Sequence, residues 1–358
     1  MPKPSSSHLT GRAATHKFDI LLLTINKRGA DMINKSVVAA GILLSSLLSG
    51  ALVCAQPTFP EKPIRLLVPF SAGGSTDVFS RKFAEKFGKH LNQVIVVENK
   101  DGAAGSIAGS MLASAKPDGY TLMVGTSSNV TAGPATNAIF KYDPRKDFDS
   151  IGILAIQPMV LVTAKDVPAN NLAEFIQLVK NHPNDYTYGS GGIGGISHLC
   201  GEFFKDKAGG LKILHVPYKG SAPVIQDLLA GRIHALFDSA VPNLPHYRDG
   251  KEKILAVFSN KRLSVLPEVP TTAESGYPDL ISETVLFLLA PAGIPAPVLN
   301  KLHDAAQAVV SDRGFTNEMT EMGIESPGAV DAAAAEKYME QDMAKWARVA
   351  KNIGLKLE

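Results

Sequence analysis

From residue 64 onward, short aliphatic and β-branched runs alternate with longer stretches whose apolar positions recur at helical spacing. "IRLLVPF" (64–70) predicts a strand. The helix near 77–90 that follows sets Val78, Phe79, Phe83 and Phe87 on one face. "VIVVEN" (94–99) predicts the second strand, an Ala/Ser/Gly-rich helix near 105–115 stops at "KPDGY", and "TLMVGT" (121–126) is the third strand. Continuous apolar strands joined by helices imply a parallel sheet covered on both faces.

The pattern changes at "DFDSIGILAIQPMVLVTAKD" (147–166), which is too long for one strand and contains Pro158; it reads as a strand pair crossing between sheets. A second series follows. Its helices fall near 172–182, 196–208 and 222–230, and its strands at 186–190, 213–218, 234–239 and 254–259. "ISETVLFLLAP" (281–291) is a second long crossing, and only helices follow it, at 296–311, 314–322 and 331–352. Two βα series with two crossings predict an α/β fold of two lobes with a cleft between them. The first lobe takes residues 58–158 and 286–358, the second 159–285.

The N-terminus departs from this alternation. From Met32 a lysine (Lys35) precedes an apolar run, Val37–Val53, that ends in Val53-Cys54-Ala55. This reads as a secretory signal cleaved after Ala55, with Met32 a candidate start and residues 1–31 an extension. A retained membrane helix is the alternative, disfavoured because the polar "AQPTFPEKP" follows without a positive flank. A lipid anchor on Cys54 is disfavoured by Val53, where a small residue is wanted. Six Lys/Arg and two acids lie in residues 1–55, so the remainder carries 30 basic and 32 acidic residues, a net of −2. That balance argues against a nucleic-acid partner. Cys200 is the single cysteine left, so no internal disulfide forms even in an oxidising compartment.

Candidate chemistry lies in the turns after the strands, where open parallel sheets gather ligands. "SAGGST" (71–76), "KDGAAGS" (100–106), "TSSN" (126–129), "SGGIGGIS" (190–197), "KGSAP" (219–223) and "DSAVP" (238–242) are rich in Gly, Ser, Thr or Asn, and nearly all lead into a helix. Helix N-termini present unpaired N–H groups to an anion; equally, Gly permits each bend and Ser or Thr caps each helix. "PFSAGGSTD" lacks the Lys-Ser/Thr of a P-loop, and "GAAGSIAG" lacks dinucleotide-binding spacing. Ser197 and His198 are adjacent on a helix and point about 100° apart, so they cannot pair as nucleophile and base. No metal or cofactor motif is present. Asp77 and Asp238 each read either as braces for their turns or as partners for a ligand's ammonium. Phe70 and Tyr218 read as packing residues or as walls against a ligand's carbon chain.

These pieces resemble a known family. "FPEKPIRLLVPFSAGGSTDVFSRKFAEKFGKHLNQVIVVENKDGAAGSIAG", "KPDGYTLMVGT", "YDPRKDF", "VPYKGSAPVIQDLLAGRI" and "VPTTAESGYPDL…APAGIPAPV" match, in order, substrate-binding proteins of tripartite tricarboxylate transporters, the Bug receptors. The resemblance covers residues 58–352. It implies a type II periplasmic binding protein, not an enzyme and monomeric, that takes a small organic acid and delivers it to a membrane permease of one large and one small subunit. Residue by residue it implies ligand contacts at Phe70, Ser71, Gly74, Ser75, Thr76, Asp77, Ser127 and Ser128 in the first lobe. In the second it implies Gly192, Ile193, Gly194, Ser197, His198, Tyr218 and Asp238. Two departures stand out: Val285-Leu286-Phe287 replaces an aromatic-plus-glycine segment, and Lys100-Asp101 replaces Arg-Pro. The first reshapes a crossing strand, so a relative's ligand does not transfer directly. A receptor that presents its ligand to a sensor kinase has the same sequence signature.

Overall fold

The computed structural model describes residues 59–355; the expected leader and Cys54 lie outside the described residues. The first series is β1 (Ile64–Val68), α1 (Ser75–Leu91), β2 (Ile95–Asn99), α2 (Ser106–Ala113) and β3 (Thr121–Thr126). β1 pairs in parallel with β2 on one side and β3 on the other. α1 forms because Phe79, Phe83 and Phe87 recur every fourth residue and are fully buried; their rings stack at 6.0 and 4.9 Å. It stops at Asn92, a left-handed residue with φ 50° whose N–H bonds back to Lys89 O.

The second series runs β4 (Phe148–Ala164), α3 (Leu172–Asn181), β5 (Thr187–Ser190), α4 (Ile196–Lys207), β6 (Leu214–Pro217), α5 (Ser221–Leu229), β7 (Ala235–Ser239) and β8 (Glu252–Val257). The chain returns through β9 (Glu283–Pro291) to α6 (Ala296–Val310), α7 (Arg313–Glu321) and α8 (Ala332–Asn352). Strand order is β2-β1-β3-β9-β4-β7-β5-β6, with β8 also on β4. β9 is antiparallel to β3 and β4, and β7 and β8 are antiparallel to β4. The sheet is therefore mixed, and the expected parallel pairing holds only within β2-β1-β3 and β7-β5-β6.

The segment expected as a strand pair is one strand, β4, 17 residues long. Two features allow it. Register shifts near Gly152 and Ile153 absorb the twist. Pro158, which has no N–H, sits where β4 leaves β9; the next N–H, of Met159, bonds Ser282 O at 3.0 Å. β4 then runs between β7 and β8.

Leu66 and Leu122 pack on α1 and α6, while Leu67 and Met123 face α2 and the start of α8, so the first-lobe sheet is covered on both sides. A larger core built on β4, β5, β7, α3 and α4 fills the second lobe. α8 belongs to both lobes. Ala335 and Met339 lie in the first-lobe core, while Trp346 and Val349 lie in that of the second. The domain reading from sequence gave the whole helix to the first lobe. Short turns of helix at Ala103–Gly105, Gly133–Thr136, Pro144–Asp147 and Leu244–Arg248, and a π-helical turn at Ser128–Ala132, complete the described fold.

Candidate functional site

Three helices of the two lobes, α1, α4 and α5, begin at one place, and each begins at a glycine. Gly74, Gly195 and Gly220 are the N-cap residues, and none supplies a side chain to the first turn. The capping role open to Ser or Thr in these turns is thus not taken up. The N–H groups of the first turns have no partners within their own helices and lie at the positive ends of the helix dipoles.

In the first lobe, Phe70, Gly74, Ser75 and Thr76 line a cavity, joined by Thr126 from the end of β3 and by Ser128. Gly191, Ile196, Ser197, Gly220, Ser221 and Asp238 face them from the second lobe, while Met159 of β4 and Thr284 of β9 sit between the lobes. The enclosed volume is about 40 Å3, room for roughly three waters. The lobes are closed on each other. Ile196 N–H donates to Ser128 Oγ across the cleft at 3.0 Å. A Cβ placed on Gly220 would lie 2.7 Å from Ser71 Oγ.

No Lys, Arg or His lines this cavity among the described residues, and Asp238 is its one titratable side chain. Asp238 is 7% exposed. Its Oδ1 accepts from Ser239 N–H at 2.8 Å, while Oδ2 has no hydrogen-bond partner among the described residues. Burial pushes its pKa up to about 6, and the Ser221 hydroxyl, the Ser239 N–H and the Asn243 amide pull against that rise.

Several residues expected at the site brace it from behind. Asp77 Oδ2 accepts from Gly73 N–H at 2.9 Å and Arg81 Nε at 3.0 Å, and Oδ1 accepts from Asn99 Nδ2 at 2.9 Å. Asn99 also donates to Phe70 O at 2.9 Å, so one buried carboxylate fixes both ends of the turn before α1. Burial works against its charge, yet these donors outweigh it and hold the carboxyl below the usual carboxylate range. Ser127 Oγ accepts from Val285 N–H at 2.9 Å and so ties β3 to β9 rather than facing the cavity. Ser71 lies against Gly220, outside the lining.

In the second lobe Ser197 Oγ accepts from Gly191 N–H at 2.9 Å while also lining the cavity. His198 does not line it. Its Nδ1 accepts from Gly194 N–H at 3.1 Å, and its ring stacks on His215 at 4.1 Å. Burial lowers His198 to about 4 and His215 to about 3, so both rings are neutral near pH 7. Gly192 packs on the backbone of Ala104 and Gly194 on Asn137, so both make lobe-to-lobe contacts. Ile193 is 49% exposed. Tyr218 Oη donates to Asp227 Oδ2 at 2.8 Å, away from the cavity.

Sequence reasoning did not name Thr126, Met159, Gly191, Gly220, Ser221 or Thr284 as contacts, while Ile196 lies within the Gly192–Ser197 turn expected at the site. Gly220 and Ser221 sit in "KGSAP", a turn singled out by composition, and Gly191 in "SGGIGGIS". Met159 and Thr284 lie inside apolar crossing strands, where no local signal distinguishes a lining position.

Known proteins share this architecture. The family description "Tripartite tricarboxylate transporter family receptor" matches residues 79–355. The periplasmic binding protein BugD is 34% identical, with a TM-score of 0.81 over 84% of this chain and all of its own. A Rhodopseudomonas palustris protein solved with adipate is 32% identical, also with a TM-score of 0.81, over 84% of this chain and all of its own. MatC of the same organism, solved with bound malate, is 29% identical, with a TM-score of 0.78 over 81% of this chain and 99% of its own.

Proposed function

Because the chain belongs to the tripartite tricarboxylate transporter receptor family, whose members are periplasmic substrate-binding proteins rather than enzymes, we propose that it captures a small organic carboxylate between its lobes and delivers it to a membrane permease of one large and one small subunit. The observation that carries the reading is the convergence of three glycine-capped helix N-termini on one cation-free cavity. A carboxylate there accepts N–H bonds from α1 in one lobe and from α4 and α5 in the other. Each bond is charge-assisted and short. A ligand that bridges the lobes favours the closed state by its extra affinity for that state. The adipate and malate held by the two R. palustris relatives support carboxylates as the ligand class. Among the described residues no helix is long and apolar enough to cross a membrane. Release into the periplasm would follow cleavage of the leader read at residues 32–55.

The test is a thermal-shift panel of mono-, di- and tricarboxylates against neutral analogues. A ligand at 100 times its Kd adds about 2.7 kcal/mol of stability. A panel in which no carboxylate raises the melting temperature overturns the reading. Loss of uptake of the identified acid in a deletion strain, restored by the gene, tests delivery.

A further inference from the structure

The cavity contains an acceptor that a simple carboxylate does not satisfy. Three helix N-termini offer donors to a ligand's anionic end. Ser128 Oγ and Ser197 Oγ already accept N–H groups and have O–H groups left to donate. Asp238 differs from all of these. It ends β7, is more than nine-tenths buried, and lines the same cavity. One of its oxygens is held by Ser239 N–H, and the other has no partner among the described residues. Among the described residues no cation lines the cavity to neutralise it, and the Ser221 hydroxyl, Ser239 N–H and Asn243 amide offset its burial only in part. An oxygen left in this state costs free energy until a donor reaches it.

From this geometry we infer that Asp238 is a specificity determinant: its free Oδ2 accepts a hydrogen bond from a hydroxyl or ammonium group on the ligand, so the preferred ligands are hydroxy- or amino-substituted carboxylates rather than plain ones. The inference rests on the carboxylate reading above. The division of labour is complementary. The helix N-termini, which only donate, take the carboxylate, and Asp238, ionised, only accepts and takes the donor. A plain diacid turned toward Asp238 sets two acceptors against each other. A depressed affinity for plain acids is the expected signature. The raised pKa of Asp238 fits this assignment, since a ligand donor would restore the stabilisation of its charged form that burial removes.

The experiment is calorimetry with matched sets of acids: acetate, glycolate and glycine; propionate, lactate and alanine; succinate, malate and aspartate; glutarate, 2-hydroxyglutarate and glutamate. In the set that fits the cavity, a substituted acid binds the wild type at least tenfold more tightly than its plain parent. In Asp238→Asn, which keeps the volume but puts donors on the amide, the preference falls below threefold. Equal binding of plain and substituted acids by the wild type overturns the inference, with the receptor reading intact. So does a preference that survives in a folded Asp238→Asn. No binding by any acid of the four sets overturns this inference, while the wider thermal-shift panel judges the carboxylate reading separately. The wild-type comparison decides the question even where the variant does not fold.

Discussion

Gly220→Ala probes lobe closure at a single atom. Gly220 has φ 132° and ψ 179°, a region that side chains other than glycine's enter only under strain of about 1–3 kcal/mol. That cost falls on the turn before α5 itself, so it lowers the melting temperature of the unliganded protein. The new Cβ carries a second cost that exists only when the lobes meet. It lies 2.7 Å from Ser71 Oγ, 3.3 Å from Ser71 N and 3.5 Å from Phe70 Cβ, all in the opposite lobe. The 2.7 Å contact with the hydroxyl is the severe one and the 3.3 Å contact with the backbone is only tight, so the closed state loses about 1–2 kcal/mol by overpacking, most of it at the hydroxyl. Only the penalty specific to the closed state enters the affinity, which falls about 5- to 30-fold. Calorimetry measures this loss, and a melting curve without ligand measures the turn strain separately. Adding Ser71→Ala removes the 2.7 Å contact and should return most of the affinity while leaving the melting temperature depressed. A Gly220→Ala protein that binds as the wild type refutes closure across this contact. An affinity loss that Ser71→Ala does not relieve refutes the steric argument and places the effect in the turn.

Three further outcomes follow from the same geometry. Glu252 is buried with neither carboxyl oxygen hydrogen-bonded among the described residues, and burial, with the Asp238 charge adding to it, raises its pKa to about 8. A pKa raised on folding stabilises fully below the unfolded value and is lost as pH rises through the folded one, here about 3–4 kcal/mol between about pH 5 and 8. Glu252→Gln should therefore lose less stability than wild type in melts over that range, and equal slopes would sink the argument. Gly74→Val should abolish ligand binding with the fold intact, since its methyls enter the cavity. Gly74→Ala, whose Cβ meets nothing closer than 3.5 Å, should bind within a few-fold of wild type; a valine variant with normal affinity removes this turn from the site. Asp77→Ala strands the Gly73 N–H, Arg81 and Asn99 and should cost about 2 kcal/mol in chemical denaturation, a loss below about 0.5 kcal/mol being incompatible with a bracing role.

How much of this was legible in the sequence depended on whether the signal was local. The βα series could be read because buried parallel strands are continuous apolar runs and α1 advertises its face with Phe79, Phe83 and Phe87. Pro158 pointed to a break where the structure has a change of partner, because a missing N–H has the same sequence signature in both cases. The glycine and serine turns were visible as candidate anion sites, yet side-chain direction within them was not. Ser127 and Ser128 are neighbours of equal chemistry, but one accepts from Val285 N–H and the other from Ile196 N–H. Only the long-range pairing of β3 with β9 decides between them. Trp346 gave no sign that α8 enters the second lobe, since its partner Phe203 is 143 residues away in sequence and the rings meet edge-on at 6.3 Å.

The absence of a cation among the lining residues fits a receptor that must both hold and release its ligand. A guanidinium in this cavity would be well solvated in the open lobes. On closure it would lose that solvation, and the cost is recovered only if the carboxylate pairs with it closely. The resulting complex would be slow to open. N–H groups at the first turn of a helix are fixed in direction, are hydrated when the lobes part, and carry about half a charge per terminus. They trade water for carboxylate with little change in solvation cost. With α1 on one side and α4 and α5 on the other, no single lobe holds the full donor set, so tight binding requires closure. The same division explains the placement of Asp77. Its carboxylate sits behind the turn, fixing Gly73 and, through Asn99, the Phe70 carbonyl, and it keeps the α1 donors aimed without placing a negative charge in the cavity. Asp238 is the one breach of that rule, since it lines the cavity with a buried Oδ2 that has no hydrogen-bond partner among the described residues. For that reason the distinction between one carboxylate and another falls to it.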